Sequence, residues 1–174
     1  TLTRSIDLSN VLEAQLQIKF WQGIEEHWDY LYVEISADGG SSWDILSGNL
    51  TVDENPFGLS FGPGYTGSSN NWLNDQFDLS AYAGSQVLLR FHYVTDSNYY
   101  GEGFCLDELS IPGIDLYYED LVDWNYQDFM HCKILSEIDN LLENKKCIWM
   151  PSFNTSFGAC KEFPNNGIIF DDIL

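Results

Sequence analysis

The chain has 174 residues, 44% apolar and 16% aromatic, enough for one packed domain with an appendage. Seven basic residues face 27 acidic ones, a net charge of −20. Such a surface repels phosphate backbones and excludes nucleic acid as an expected partner, and no apolar run reaches membrane-spanning length.

In chain order, the first run is Thr3 to Leu8, and its strand-like start with no signal peptide reads as a fragment or mature piece of something longer. Leu16, Ile18 and Phe20 then alternate with Gln17, Lys19 and Trp21. From Tyr30 to Ser36 the period is two again: Leu31, Val33 and Ile35 point one way, and Tyr30, Tyr32, Glu34 and Ser36 the other. Ser36-Ala37-Asp38-Gly39-Gly40-Ser41-Ser42-Trp43 supplies turn chemistry, with a carboxylate to accept backbone amides and two glycines for positive φ. Its spacing resembles the Asp-box hairpin, a structural staple of unrelated β folds.

Asn74 to Leu79 forms a shorter run. Val87, Leu89, Phe91 and Tyr93 alternate with Leu88, Arg90, His92 and Val94, and Gly103 to Ile111 closes the series. Turn-rich segments at Ser47-Gly48-Asn49, Ala83-Gly84-Ser85 and Asp96-Ser97-Asn98 separate the runs. No helical period appears before residue 114. The expected fold class is therefore all-β, a two-sheet antiparallel sandwich of Greek-key or jelly-roll type spanning residues 1–113.

Composition changes after Pro112-Gly113, where a C-terminal extension, 114–174, holds four of the seven basic residues and three of the four cysteines. Ile134, Leu135, Ile138, Leu141 and Leu142 fall at helical spacing, which predicts one short amphipathic helix near 133–146. Cys105 reads as a small buried residue of its strand, while Cys132, Cys147 and Cys160 lack the C-x-x-C spacing of a zinc cluster. Asn49-Leu50-Thr51 and Asn154-Thr155-Ser156 match the glycosylation sequon, a short pattern that also arises by chance.

The ordered series IDLSN, FWQGIEEHWDYLYVEISADGGSSW, NPFG, GPGYTGSSNNW, FDLSAYAG, LRFHYVTD and GEGFCLDELSIPGI resembles the MAM-like β-sandwich domain of the immune inhibitor A family of secreted zinc metallopeptidases. The resemblance covers about residues 2–113. It implies a jelly-roll fold, an extracellular location, and membership of a protease-containing chain whose catalytic domain lies elsewhere. The catalytic part does not carry over. A zinc site of that class needs two histidines four apart on one helix face, and none of His27, His92 or His131 has a second histidine four residues on. No serine elbow, thiol dyad or phosphate loop replaces it. The expectation is a non-enzymatic chain with no zinc of its own.

Two ligand surfaces are candidates. Trp21, Tyr30, Tyr32 and His92 occupy the strand faces opposite the aliphatic positions, where an exposed aromatic stripe would stack on sugars; a covering loop from Phe57 to Trp72, or the tail, is the alternative. The second candidate is a calcium site at Asp107, which strict alternation places on the inward face with Leu109 and Ile111. A buried carboxylate needs a partner, and Glu25, Glu26, Asp29, Asp96 and Glu102 are the candidate co-ligands. Hydrogen bonding of Asp107 to backbone amides is the competing reading. The expected partners are the catalytic domain of the parent chain, or an extracellular protein or glycan.

Overall fold

The computed structural model describes residues 1–114 apart from Ser97 and Tyr100, and beyond them the backbone of three two-residue strands. The helix expected near 133–146 lies outside the described residues. Seven strands precede residue 114: β1 Leu2–Asp7, β2 Gln15–Gly23, β3 Tyr30–Ser36, β4 Asp44–Ile45, β5 Leu73–Asp78, β6 Gln86–Val94 and β7 Gly103–Ser110. Three more follow at Asn125–Tyr126 (β8), Met130–His131 (β9) and Ile148–Trp149 (β10). They form two antiparallel sheets, ordered β4-β3-β6-β1-β8 and β5-β2-β7-β10-β9. The all-β, two-sheet fold class is as the alternating runs predict.

The alternation sets the core. Leu31, Val33 and Ile35 of β3 and Val87, Leu89 and Phe91 of β6 meet Leu16, Ile18 and Phe20 of β2 and Phe104, Leu106 and Leu109 of β7 in one apolar cluster. Burying an aliphatic or aromatic side chain in such a cluster is worth about 1.5–3 kcal/mol. The β3 strand departs from the simple pattern, because all seven of its residues are buried. Its second face is covered from outside by the segment that follows β4.

That segment, residues 46–72, closes the side of the sandwich. Leu46 N–H donates to Val33. Gly48 bridges to Phe77, Leu31 to Tyr65, and Gly23 to Ser68, so one stretch of chain touches β5, β3 and β2 in turn. Its anchor is Asp75, a buried carboxylate on β5 that accepts the Asn49 and Leu50 N–H groups at 2.8 and 3.1 Å, and the Tyr65 hydroxyl at 2.6 Å. A Cβ at Gly48 would stand 2.5 Å from the Asp75 carboxylate, so only glycine fits there.

The turn after β3 also forms as its residues dictate. The Asp38 carboxylate accepts the Ser42 N–H at 2.9 Å and the Ser36 and Ser42 hydroxyls at 2.8 and 2.7 Å. Gly39 and Gly40 take φ of 73° and 93°. Trp43 donates its indole N–H to Gly40, and the Arg90 guanidinium stacks on its ring, 3.8 Å from the centroid. The Ser42 hydrogen bonds hold the Asp38 carboxyl well below the usual range.

One strand corrects the sequence reading. Between the pairs Ile18–Leu109 and Phe20–Leu106 the register slips, so that Asp107 and Glu108 together stand opposite Lys19. This bulge shifts the alternation by one residue. Leu106, not Asp107, fills the core, and Asp107 ion-pairs on the outside with Lys19 at 3.2 Å, beside Glu108 at 3.0 Å.

Candidate metal centre

The loop between β2 and β3 is built to crowd acids together. Glu25 C=O accepts the N–H groups of Trp28 and Asp29 at 3.3 and 3.0 Å and the Thr66 hydroxyl at 3.1 Å, winding EEHWD into a tight turn. Within it His27 is forced to a φ of 66°, and its N–H is held by the Thr66 hydroxyl at 2.8 Å. The turn drops Asp29 into the interior with 0% of its surface exposed. There its carboxylate accepts the Tyr93 hydroxyl at 3.2 Å and the Asp96 N–H at 3.0 Å.

Glu25, Asp29 and Asp96 each bring a carboxylate oxygen within 4.8 Å of the others. Glu25 Oε2 is buried with no hydrogen-bond partner among the described residues. Burial pushes the Asp29 carboxyl up to about 6, against the hydrogen bonds from Asp96 and Tyr93, with the nearby Glu25 and Asp96 charges adding to the rise. Burial likewise pushes the Tyr93 hydroxyl up, reinforced by Asp29. Hydrogen bonds reach Asp29 and Asp96, but among the described residues no basic side chain forms an ion pair with the trio. Ligands around one calcium lie at about 2.3–2.6 Å, so oxygens this close together can share an ion.

Of the residues the sequence nominated, the structure brings Asp29 and Asp96 together with Glu25. The others stand apart. Asp107 is held by Lys19, Glu26 is exposed beside His27 at 4.0 Å, and Glu102 lies over Gly23.

The nominated aromatic stripe is not a stripe. Trp21, Tyr30 and Tyr32 are buried. The Tyr30 hydroxyl donates to Glu54 C=O at 2.8 Å, and the Tyr32 hydroxyl accepts Phe61 N–H at 2.9 Å, so residues 54–61 lie over their rings. His92 Nδ1 sits 3.3 Å from Glu34, whose other oxygen takes the Arg90 Nε–H. Although burial raises the Glu34 carboxyl, those hydrogen bonds hold it low on balance. A covering loop at Phe57 to Trp72 is the alternative the sequence raises, and the residues hydrogen-bonded over the rings are Glu54 and Phe61.

That loop instead exposes rings of its own. Phe57 stacks on Trp28 with centroids 4.5 Å apart, and Phe61 stacks on Tyr32 at 5.7 Å. Trp28, Phe57 and Phe61 remain 40%, 53% and 66% exposed. On the far sheet, Gln17, Lys19, Asn74, Gln76, Glu108 and Ser110 line a shallow polar groove of about 290 Å³.

Comparison with known proteins agrees with this architecture. The sequence model of the immune inhibitor A-like MAM domain matches residues 1–120. Pre-pro-metalloprotease PrtV of Vibrio cholerae is 34% identical over 110 residues, 63% of this chain and 11% of its own length. Immune inhibitor A of Bacillus thuringiensis is 29% identical over 110 residues, 63% of this chain and 15% of its own. Bacillopeptidase F of Bacillus subtilis is 28% identical over 94 residues, 54% of this chain and 5% of its own. The chain thus spans a small fraction of the relatives it matches.

Proposed function

The chain belongs to the immune inhibitor A-like MAM domain family, and from that premise we propose that it is an extracellular, non-catalytic accessory module of a protease chain. In this reading it supports the catalytic part or docks its protein substrate, and a bound calcium ion holds its β2–β3 loop in shape. Relatives named as a metalloprotease and a peptidase support the protease context. The lack of paired histidines at metal-binding spacing supports the non-catalytic part.

The observation that carries the reading is the acidic trio of Glu25, Asp29 and Asp96, in which Asp29 is buried, Glu25 and Asp96 are half-buried, and one Glu25 oxygen is buried without a hydrogen-bond partner among the described residues. A desolvated carboxylate cluster is costly unless a cation or a proton neutralises it. Calcium fits a set of hard oxygens of irregular geometry, while zinc favours the histidine and cysteine that this trio lacks.

Two measurements test this. Calcium at a hundredfold excess over its dissociation constant adds about 2.7 kcal/mol, so the calorimetric melt of chelator-treated protein rises by roughly 5–10 °C. Asp29→Asn removes that response. An unchanged melting temperature in millimolar calcium refutes the metal. In a casein assay with zinc added, no turnover is expected; turnover abolished by a substitution within this chain refutes the accessory reading.

A second reading, glycan binding, is favoured by the polar groove on the far sheet. There Gln76, Gln17 and Ser110 stand in one row across three strands, and the amides and hydroxyl match sugar hydroxyls. Titration with oligosaccharides, repeated on Gln17→Ala and Gln76→Ala, decides it; binding that both changes leave intact argues against this face.

A further inference from the structure

We infer that the flap over β3 is a docking surface for a cationic, apolar segment of protein. The flap is a hairpin whose base is Val52 and Gly64, which exchange backbone hydrogen bonds at 2.8 and 3.1 Å. The Asn55 side chain closes its tip, accepting Ser60 N–H at 2.9 Å and donating to Ser60 C=O at 3.1 Å. Two hydrogen bonds with the strand beneath pin it down, one from the Tyr30 hydroxyl to Glu54 C=O and one from Phe61 N–H to the Tyr32 hydroxyl. Its rings are therefore held outward on a fixed base. Phe57 leans on Trp28, Phe61 leans on Tyr32, and more than half of each phenyl surface is left to solvent. Large apolar side chains held in water by an ordered loop mark interaction sites more often than chance exposure does.

The charge around the rings selects the occupant. Glu26, Asp53 and Glu54 are all exposed; Glu26 lies two residues before Trp28, and the others lie within four residues of Phe57 along the chain. From Phe20 to Leu89 the chain carries no lysine or arginine. Open aromatic faces on an acidic stretch of chain with no basic residue suit guanidinium and ammonium groups, by stacking and by charge together. A glycan is poorly served here, because the polar groups nearest the rings are spent within the flap: Asn55 on Ser60, Tyr32 on Phe61, and Glu54 C=O on Tyr30. An anionic bilayer is repelled by the same carboxylates.

This rests on the accessory-module reading, whose own tests, the calcium melt and the casein assay, do not involve Phe57 or Phe61. The experiment titrates the full chain with a synthetic ten-residue peptide of alternating arginine and leucine, at low and at physiological salt. A glutamate–leucine peptide, chito- and cello-oligosaccharides, and phosphatidylserine vesicles are titrated in parallel. Saturable binding of the basic peptide is expected, weakening with salt. It should fall at least about tenfold in Phe57→Ser, a ring stacked on the exposed ring of Trp28, and further when Phe61→Ser is added. Asp53→Asn with Glu54→Gln should flatten the salt dependence. No binding of the basic peptide, equal binding of the acidic one, or binding indifferent to Phe57→Ser overturns the inference. So does preferential binding of glycan or vesicle through the same rings.

Discussion

Two acids of this chain, Asp29 and Asp75, are both buried and both hydrogen-bonded, yet they answer to different physics. Asp75 accepts from Asn49, Leu50, Tyr65 and Gln76, so its charge is spread over four donors. Removing it strands those donors, and Asp75→Ala should cost about 3 kcal/mol or more by denaturant unfolding, with Asp75→Asn costing less. An Asp75→Ala within about 0.5 kcal/mol of the parent contradicts that role. Asp29 has fewer donors and two acidic neighbours, and burial raises its carboxyl to about 6. Its unfolded value is about 3.9, so the folded state holds the proton more tightly. In chelator, stability should therefore fall as pH rises from about 4 to about 6 and stay low above that. Asp29→Asn should flatten the profile and, at pH 7.5, raise the metal-free melting temperature. A metal-free profile with no decline over that window rejects the desolvated-acid account. At this scale Asp29 and Asp96 were legible in sequence as acids of two separate turn segments, one before β3 and one before β7. Asp75 stands in phase with Leu73 and Phe77 on the inward face of its run, but the donors it meets come from the folded-back loop of residues 46–72, which the strand pattern does not specify.

At the scale of the element, the strand runs read from the sequence lie close to the observed bounds of every strand between residues 1 and 111 except the two-residue β4. The period-two pattern failed where one extra residue entered a ladder. The bulge in β7 follows no local signal, since FCLDELSI alternates plausibly in either phase. What it does is place two carboxylates against one ammonium, which raises the Lys19 group, led by its Glu108 hydrogen bond. The cluster lies at the surface, where such pairs contribute about 0.2–1 kcal/mol. Lys19→Met should thus lower stability by about 1 kcal/mol or less. A loss of several kcal/mol would show that the bulge itself depends on the ion pair. The turn at Asp38 was legible in full, because its chemistry is local: every partner of that carboxylate lies within four residues.

Across the whole molecule, the unsettled relation is between the sandwich and residues 114–174. The described core runs from Leu2 to Ile111, with Ile114 packed at its margin and its N–H on Ile111 C=O at 3.1 Å. Short strands beyond it touch both sheets, β8 along β1 at two residue pairs and β10 along β7 at two more. The described core thus lies in the first part, and the described backbone of the later strands pairs with the sheets at β1 and β7. Backbone hydrogen bonds of this kind contribute about 0.5–1.5 kcal/mol each. A chain ending at residue 120, the limit of the family match, should thus unfold in one cooperative calorimetric transition, at a lower temperature than the full chain. It should also self-associate more readily, because the bared edges of β1 and β7 offer unpaired amides to another copy. Sedimentation of both chains alongside the melts separates the two effects. A shortened chain that is soluble but melts without a transition would make residues 121–174 part of the folding unit, not an extension of it.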